Sequence, residues 1–267
     1  MKVQTYMALH DTTELNSLLE QQAPFYSQHF KLIEPHQPLP KNCQPLSQRL
    51  KKPHYTESLM TFSKSYQQQQ QESIDLSALH SMWSQWFFGF LLPPLLEYAL
   101  KSQTSVLHAA MNLKNWHWTY HQTGRVECFY LVLREDQVQR PTELPITLLE
   151  RLLVKLINPI IKQLSTLSPV SEKLFYSHVA YCFYWYLSEM SLAQECKLNL
   201  LNQLFSKDTL LLAKGATLPH PLWRKIRLKN SEYPRIMCCL RHKLPNTPMC
   251  TICPLHKNKH KICKTAI

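Results

Sequence analysis

The sequence predicts an α+β protein, predominantly helical, with a small central antiparallel sheet and a short carboxy-terminal segment organised around cysteines. Three observations carry this. Apolar residues recur at helical spacing over most of the chain. One stretch, about 105–134, instead has strand composition around a turn. Glycine is scarce, three of 267 residues against eighteen prolines, which disfavours a hairpin-rich all-β fold and glycine-rich phosphate loops.

In chain order, residues 1 to about 74 read as irregular with short helices. Thr12–Thr13–Glu14 opens a helix bearing Leu15, Leu18 and Leu19, and a proline-spotted linker follows from Glu34 to Pro53. Thr56 to Gln71 reads as helix. Asp75 caps the next one, whose apolar face carries Leu76, Leu79, Trp83, Trp86, Phe87 and Phe90. Pro93–Pro94 then restarts a helix that runs to about Ser102. Ser105–Val106–Leu107, Asn115 to Tyr120 and Glu127 to Leu133 have strand composition, with Gln122–Thr123–Gly124 as a turn. Helices are expected over Pro145–Ser165, bent at Pro159, over Val170–Met190 and over Ala193–Phe205. Prolines and basic residues mark a boundary near 220. The expected organisation is thus a helical domain at 1–220, with its sheet at about 105–134, and a basic cysteine segment at 221–267.

The net charge of +12 is concentrated at one end. Arg224 to Ile267 holds eleven Lys/Arg against Glu232 alone, leaving a net of only +2 upstream. An anionic partner is expected there: nucleic acid, a lipid surface, an acidic small molecule or an acidic redox protein. A merely solubilising basic tail over Lys257–Lys264 is the plainer reading. Neither GxGxxG nor GxxxxGK[ST] occurs, and HExxH and Gly-x-Ser-x-Gly are likewise missing. Met1 to Asp11 lacks a signal-peptide core. The greasiest stretch, Trp83 to Leu100, is interrupted by polar residues and prolines and falls short of a roughly 20-residue span. A cytoplasmic chain without transmembrane segments follows, in a reducing compartment where cysteines serve as ligands or core residues.

Five of the nine cysteines fall in the last thirty residues. Cys238 and Cys239 are adjacent, ten residues separate Cys239 from Cys250, and two more separate Cys250 from Cys253. The Cys-x-x-Cys gap lets two sulfurs turn to one centre, as in zinc and iron–sulfur sites. The vicinal pair reaches a single ion only with local distortion, because successive side chains in extended backbone point opposite ways. A two-iron cluster spreads its ligands over two metals. The spacing leaves zinc, a two-iron cluster, a vicinal disulfide and inert thiols open.

The stretch Arg235-Ile-Met-Cys-Cys-Leu-Arg-His-Lys-Leu-Pro-Asn-Thr-Pro-Met-Cys-Thr-Ile-Cys-Pro-Leu255 closely resembles the carboxy-terminal signature of the FhuF-type ferric-siderophore reductases. The likeness includes the leucine after the vicinal pair, the Leu-Pro in the loop and the proline after the last cysteine. Trp223 and Arg224 are similar to the family's lead-in. His108-Ala-Ala-Met-Asn112 faintly resembles a stretch in the related domain of siderophore synthetases. The resemblance implies that Cys238, Cys239, Cys250 and Cys253 bind a [2Fe–2S] cluster, making the tail an iron–sulfur segment. Cys263 lies outside the motif.

That reading implies one-electron reduction of Fe(III)-siderophore to Fe(II), which oxygen donors hold far less well. With no flavin or nicotinamide motif, the reductant is expected to be another protein, such as a ferredoxin. Nucleic acid is not an expected partner on this reading, and peripheral membrane contact stays open. Trp116, His117, Arg235 and Arg241 are the candidate substrate contacts. Trp116–His117–Trp118, with Tyr120 and His121, could line a chelate pocket, or could simply be a strand with one face in the core. Arg235, Arg241 and Lys243 would raise the cluster potential. Phe183 to Tyr186 read as a buried helix, and Cys182 and Cys196 as core. The rival is a zinc-stabilised basic binding module without redox activity. A siderophore-synthesis domain would need an ATP-binding region, for which the sequence shows no support.

Overall fold

The computed structural model describes residues 11–67, 73–133, 144–211, 217–228 and 234–256. The basic stretch Lys257–Lys264, with Cys263, lies outside the described residues. Ten α-helices and six strands occur among those described. The chain divides into two compact units, Met1–Ser58 with Gly89–Leu164, and Leu59–Phe88 with Ser165–Ile267. By contacts, the residues after about 220 fall in the second unit, together with Leu59–Phe88 and the chain from Ser165 onward.

The first unit opens with α1 (Thr12–Gln22), whose first turn is capped by Asp11, the carboxylate accepting from Thr13 N–H. The short helix α2 (Pro24–Ser27) leads into strand β1 (Phe30–Ile33). Strand β2 (Gln44–Pro45) and helix α3 (Leu46–Arg49) follow. Helix α4 (Lys52–Gln67) starts earlier than the expected Thr56. Strands β3 (Trp116–Tyr120) and β4 (Val126–Val132) form the expected hairpin, with Gly124 at φ 78° in its turn. The sheet order is β1-β4-β3-β2, antiparallel except for the parallel β1/β4 pair, with Phe30 opposite Phe129.

Alternation along these strands sends Phe30, Trp116, Trp118, Phe129 and Leu131 to one fully buried face. The Trp116 ring meets Phe30 and Phe129 edge-on at 5.7 and 5.9 Å, an arrangement aromatic quadrupoles favour. Ser105–Val106–Leu107 proves to be helix: α6 spans Thr104–Ala110 and buries Val106, Leu107, Ala109 and Ala110. Valine's strand preference gives way there to burial of a short apolar turn.

Helix α5 (Leu76–Leu100) runs unbroken through Pro93 and Pro94, where the sequence predicted a restart. Each proline removes one N–H from the helical ladder, yet both are buried in apolar surroundings that hold the helix together. Leu76–Phe88 of this helix belongs to the second unit and Gly89–Leu100 to the first. In the first unit, Tyr98 Oη donates to the Leu15 carbonyl at 3.1 Å.

Helix α7 (Pro145–Leu152) continues through a π turn at Leu153–Ile157 into α8 (Asn158–Leu167). The π turn ends two residues before Pro159, whose missing N–H leaves the preceding turn one bond short. In the second unit, α9 (Glu172–Glu189) buries Phe183 and Tyr186 but leaves Trp185 41% exposed, so it is half-buried rather than buried all round. Helix α10 (Gln194–Ser206) and a two-stranded ribbon, β5 (Thr209–Leu211) with β6 (Thr217–Pro219), precede the cysteine segment. No helix among the described residues is long and apolar enough to cross a membrane.

Gly89 lies in the middle of α5, and a Cβ built there meets no atom within 4 Å. Glycine in a helix interior is about 0.5–1 kcal/mol less favourable than alanine. Gly89→Ala is therefore expected to stabilise the protein by about that amount, read as a higher denaturant midpoint at unchanged slope. A lower midpoint would show that α5 needs the glycine's backbone freedom beside Pro93.

Candidate metal centre

The four cysteines of the carboxy-terminal signature converge in the second unit as two sulfur pairs. Cys238 Sγ lies 3.8 Å from Cys253 Sγ, and Cys239 Sγ lies 4.0 Å from Cys250 Sγ. Each pair joins one member of the vicinal dipeptide to one member of the Cys-x-x-Cys turn. Cys239 and Cys253 are buried, while Cys238 and Cys250 are half-buried.

The local backbone explains this arrangement. Leu240, immediately after the vicinal pair, adopts the left-handed conformation, φ 61° and ψ 2°. That turn brings the Leu240 N–H to 3.4 Å from Cys238 Sγ. The next N–H, of Arg241, hydrogen-bonds Cys239 and helps hold its thiol well below the usual range. The hydrogen bond from Cys250 is the larger cause of that lowering, and the Arg235 charge adds to it. Cys250, as donor, is pushed up, and burial pushes Cys238 up to about 11. At the other side, Cys253 N–H donates to the Cys250 carbonyl at 3.0 Å and closes the Cys-x-x-Cys turn.

Beneath the segment lies a buried polar chain. Arg235 is 1% exposed; its Nη2 donates to His178 Nδ1 at 2.9 Å, and its guanidinium sits 4.7 Å from the centroid of the Tyr181 ring. His178 Nε2 bonds Ser81 Oγ at 2.9 Å, and Ser81 Oγ donates to the Cys239 carbonyl at 2.7 Å. Burial, reinforced by the Arg235 charge, holds His178 neutral. Towards the surface, Lys243 pairs with Asp75 at 3.0 Å, while Asp75 also accepts from Ala78 N–H at the start of α5.

The sulfur positions can be tested against a metal. Two sulfurs bound at about 2.3 Å to one tetrahedral metal lie about 3.8 Å apart. Both pairs have that spacing. Among the described residues no group of three or more His, Cys, Asp or Glu stands ready around a single ion. Each sulfur pair by itself has the spacing that a metal held between its two thiolates would need.

The other sequence candidates are spread over both units. Trp116 is fully buried in the first unit and donates its indole N–H to the Ala110 carbonyl at 2.8 Å, so its ring is part of the core. His117, on the opposite face of β3, is half-buried, and burial lowers its pKa. Arg235 has no surface to offer a chelate; its guanidinium is committed to His178 and Tyr181. Arg241 is half-buried at the start of a 3₁₀ turn (Arg241–Lys243). Cys182 is buried in α9, and Cys43 and Cys128 lie in the first unit. Sequence reasoning missed His178 and Ser81. A lone histidine and a lone serine on helices give no signal until the fold sets them against the cysteine segment.

The family described as "Ferric iron reductase FhuF-like transporter" matches residues 81–231, more than half of the chain. That span takes in Ser81, His178 and Tyr181 and ends ahead of Arg235 and the cysteines. A protein of Escherichia coli (strain K12) named "Ferric siderophore reductase" is 30% identical over 223 residues, covering 82% of each chain. With the family matched over this span and the relative aligned over most of both lengths, the chain belongs to the FhuF-like ferric iron reductase family.

Proposed function

We propose that this protein reduces ferric siderophores by one electron in the cytoplasm, through a [2Fe–2S] cluster held by Cys238 with Cys253 on one iron and Cys239 with Cys250 on the other. The observation that carries the reading is the separation of the four sulfurs into two pairs, at 3.8 and 4.0 Å. Family membership and the name of the Escherichia coli relative support the substrate class. A bound cluster supplies one-electron storage between a reductant and the ferric ion. The electron leaves a donor protein, with an acidic ferredoxin the partner class that fits the basic tail, and Fe(III) becomes Fe(II). No bond within the chelator breaks. The larger, softer Fe(II) is held weakly by hard oxygen donors and dissociates.

The chain's own residues prepare this step. The Leu240 and Arg241 N–H groups turn onto Cys238 and Cys239, where hydrogen bonds to sulfur favour the more negative, reduced state. Cys238 and Cys250 are half-exposed, which lets a bulky chelate or a donor protein approach without entering the interior.

The direct test is metal analysis with visible and paramagnetic resonance spectra on anaerobically purified protein. About two irons and two sulfides per chain, with colour that bleaches on reduction, are expected. A colourless protein with one zinc would overturn the proposal in favour of a zinc-stabilised binding module. Serine at any one of Cys238, Cys239, Cys250 or Cys253 is expected to abolish or severely deplete the cluster. Cys43→Ser, Cys182→Ser and Cys263→Ser should leave it intact. Full occupancy in Cys239→Ser would remove that residue from the ligand set.

Charge provides a second check. Exposed charges are screened over about 8 Å at physiological ionic strength. Reduction by an acidic donor should therefore slow as salt rises. Neutralising Lys257, Lys259, Lys261 and Lys264 together should lower the association rate and flatten the salt dependence, with an unchanged cluster spectrum. Stopped-flow reduction across a salt series measures this, and identical rates and slopes would reduce the tail to a solubilising role.

A further inference from the structure

We propose that Arg235, His178 and Ser81 form a buried relay that positions the Cys239 ligand and sets the reduction potential of the centre; the inference rests on the two-iron reading above. Arg235 is 1% exposed, and its charge is permanent, because a guanidinium does not lose its proton inside a protein. Among the described residues it has no carboxylate partner. Its Nε–H is buried without an acceptor. A buried cation left in this state is strongly unfavourable unless negative charge lies close by. Four cysteinate ligands beginning three residues further along the chain supply that charge.

The proton positions in the relay are fixed by chemistry. Arginine only donates, so His178 Nδ1 must accept from Nη2 at 2.9 Å. The ring is neutral and therefore carries its hydrogen on Nε2, which donates to Ser81 Oγ at 2.9 Å. The serine hydrogen is then free for the Cys239 carbonyl at 2.7 Å. One tautomer satisfies every bond, so the relay has a single direction, from the guanidinium to the backbone of a ligand. Helix α9 contributes His178 and helix α5 contributes Ser81. The Cys239 carbonyl is thereby tied to regular structure rather than to its own loop. The Lys243–Asp75 pair makes a second tie nearer the surface, but both of its side chains are partly exposed and solvent screens it.

Two separable effects follow. The fixed cation stabilises the reduced centre, which carries one more negative charge, over the oxidised one and raises the potential. The serine bond holds the ligand in place without altering net charge. Potentiometric titration of the full-length protein, followed by paramagnetic resonance, reads the first effect. The rate of bleaching in excess chelator reads the second.

Arg235→Gln is expected to shift the reduced-to-oxidised ratio at a fixed potential at least tenfold towards oxidised, about 59 mV for a one-electron couple. Arg235→Lys, which keeps the charge, should retain most of the wild-type potential. Ser81→Ala should leave the potential close to wild type and lose iron to chelator several-fold faster. A wild-type potential in Arg235→Gln, a fall in Arg235→Lys as large as in Arg235→Gln, or wild-type iron loss in Ser81→Ala would each overturn the relay. Should Arg235→Gln fail to fold, Arg235→Lys and Ser81→Ala still decide. Wild-type protein without a two-iron signal would overturn the reading beneath it. A wild-type signal with unaltered variants would overturn the relay alone.

Discussion

Arg235 holds its charge inside the second unit, against the neutral His178 ring and the face of Tyr181, and the cysteine segment is arranged around it. The backbone on either side is tied down as well. Arg235 pairs with Ile226 in an isolated bridge, Arg227 N–H donates to the Pro234 carbonyl at 2.9 Å, and the Arg227 guanidinium donates to the Arg235 carbonyl at 2.9 Å. The strand-like entry to the motif is thus fixed before the first cysteine. Without Arg235, Ser81 and His178 would be buried polar groups lacking their anchor, a state that costs more than the hydrogen bonds themselves contribute. A chain ended at Leu218 would lose Arg235 and Cys239 together.

The vicinal cysteines set the second constraint. Two adjacent side chains turn into one centre only if the backbone departs from regular structure, and Leu240 provides that departure at φ 61°. A non-glycine residue in this region costs about 1–2 kcal/mol. The N–H groups of Leu240 and Arg241, pointed at the two sulfurs, offset that cost where an anionic centre sits between them. The same turn assigns Cys238 and Cys239 to different partners and so produces the two-pair geometry.

The cysteine spacing marked four residues that the structure does bring together, because a Cys-x-x-Cys turn and a vicinal pair are local patterns. Long amphipathic helices were equally readable, since their period is local. Strand β1 was not: its four residues pair with β4 nearly a hundred residues away, and no local pattern announces that partner. Val106 and Leu107 misled for a related reason, their β-type composition being overridden by burial in a short helix. Pro93 and Pro94 suggested a break that α5 does not make. Arg235 was visible as a charge beside the motif, but its burial and its bond to His178 come only with the tertiary structure.

Cys238 and Cys250 each reach the surface, while their partners Cys253 and Cys239 do not. On the proposed reading, both irons then have one ligand facing outward, and the centre behaves as an electrode set flush with the protein wall. Electrons cross such a boundary by tunnelling, at a rate governed by distance and driving force rather than by the outline of the partner. A reductase built this way can serve chelators of different shape without remodelling a pocket for each. The same openness admits dioxygen, a small oxidant that competes for every electron delivered.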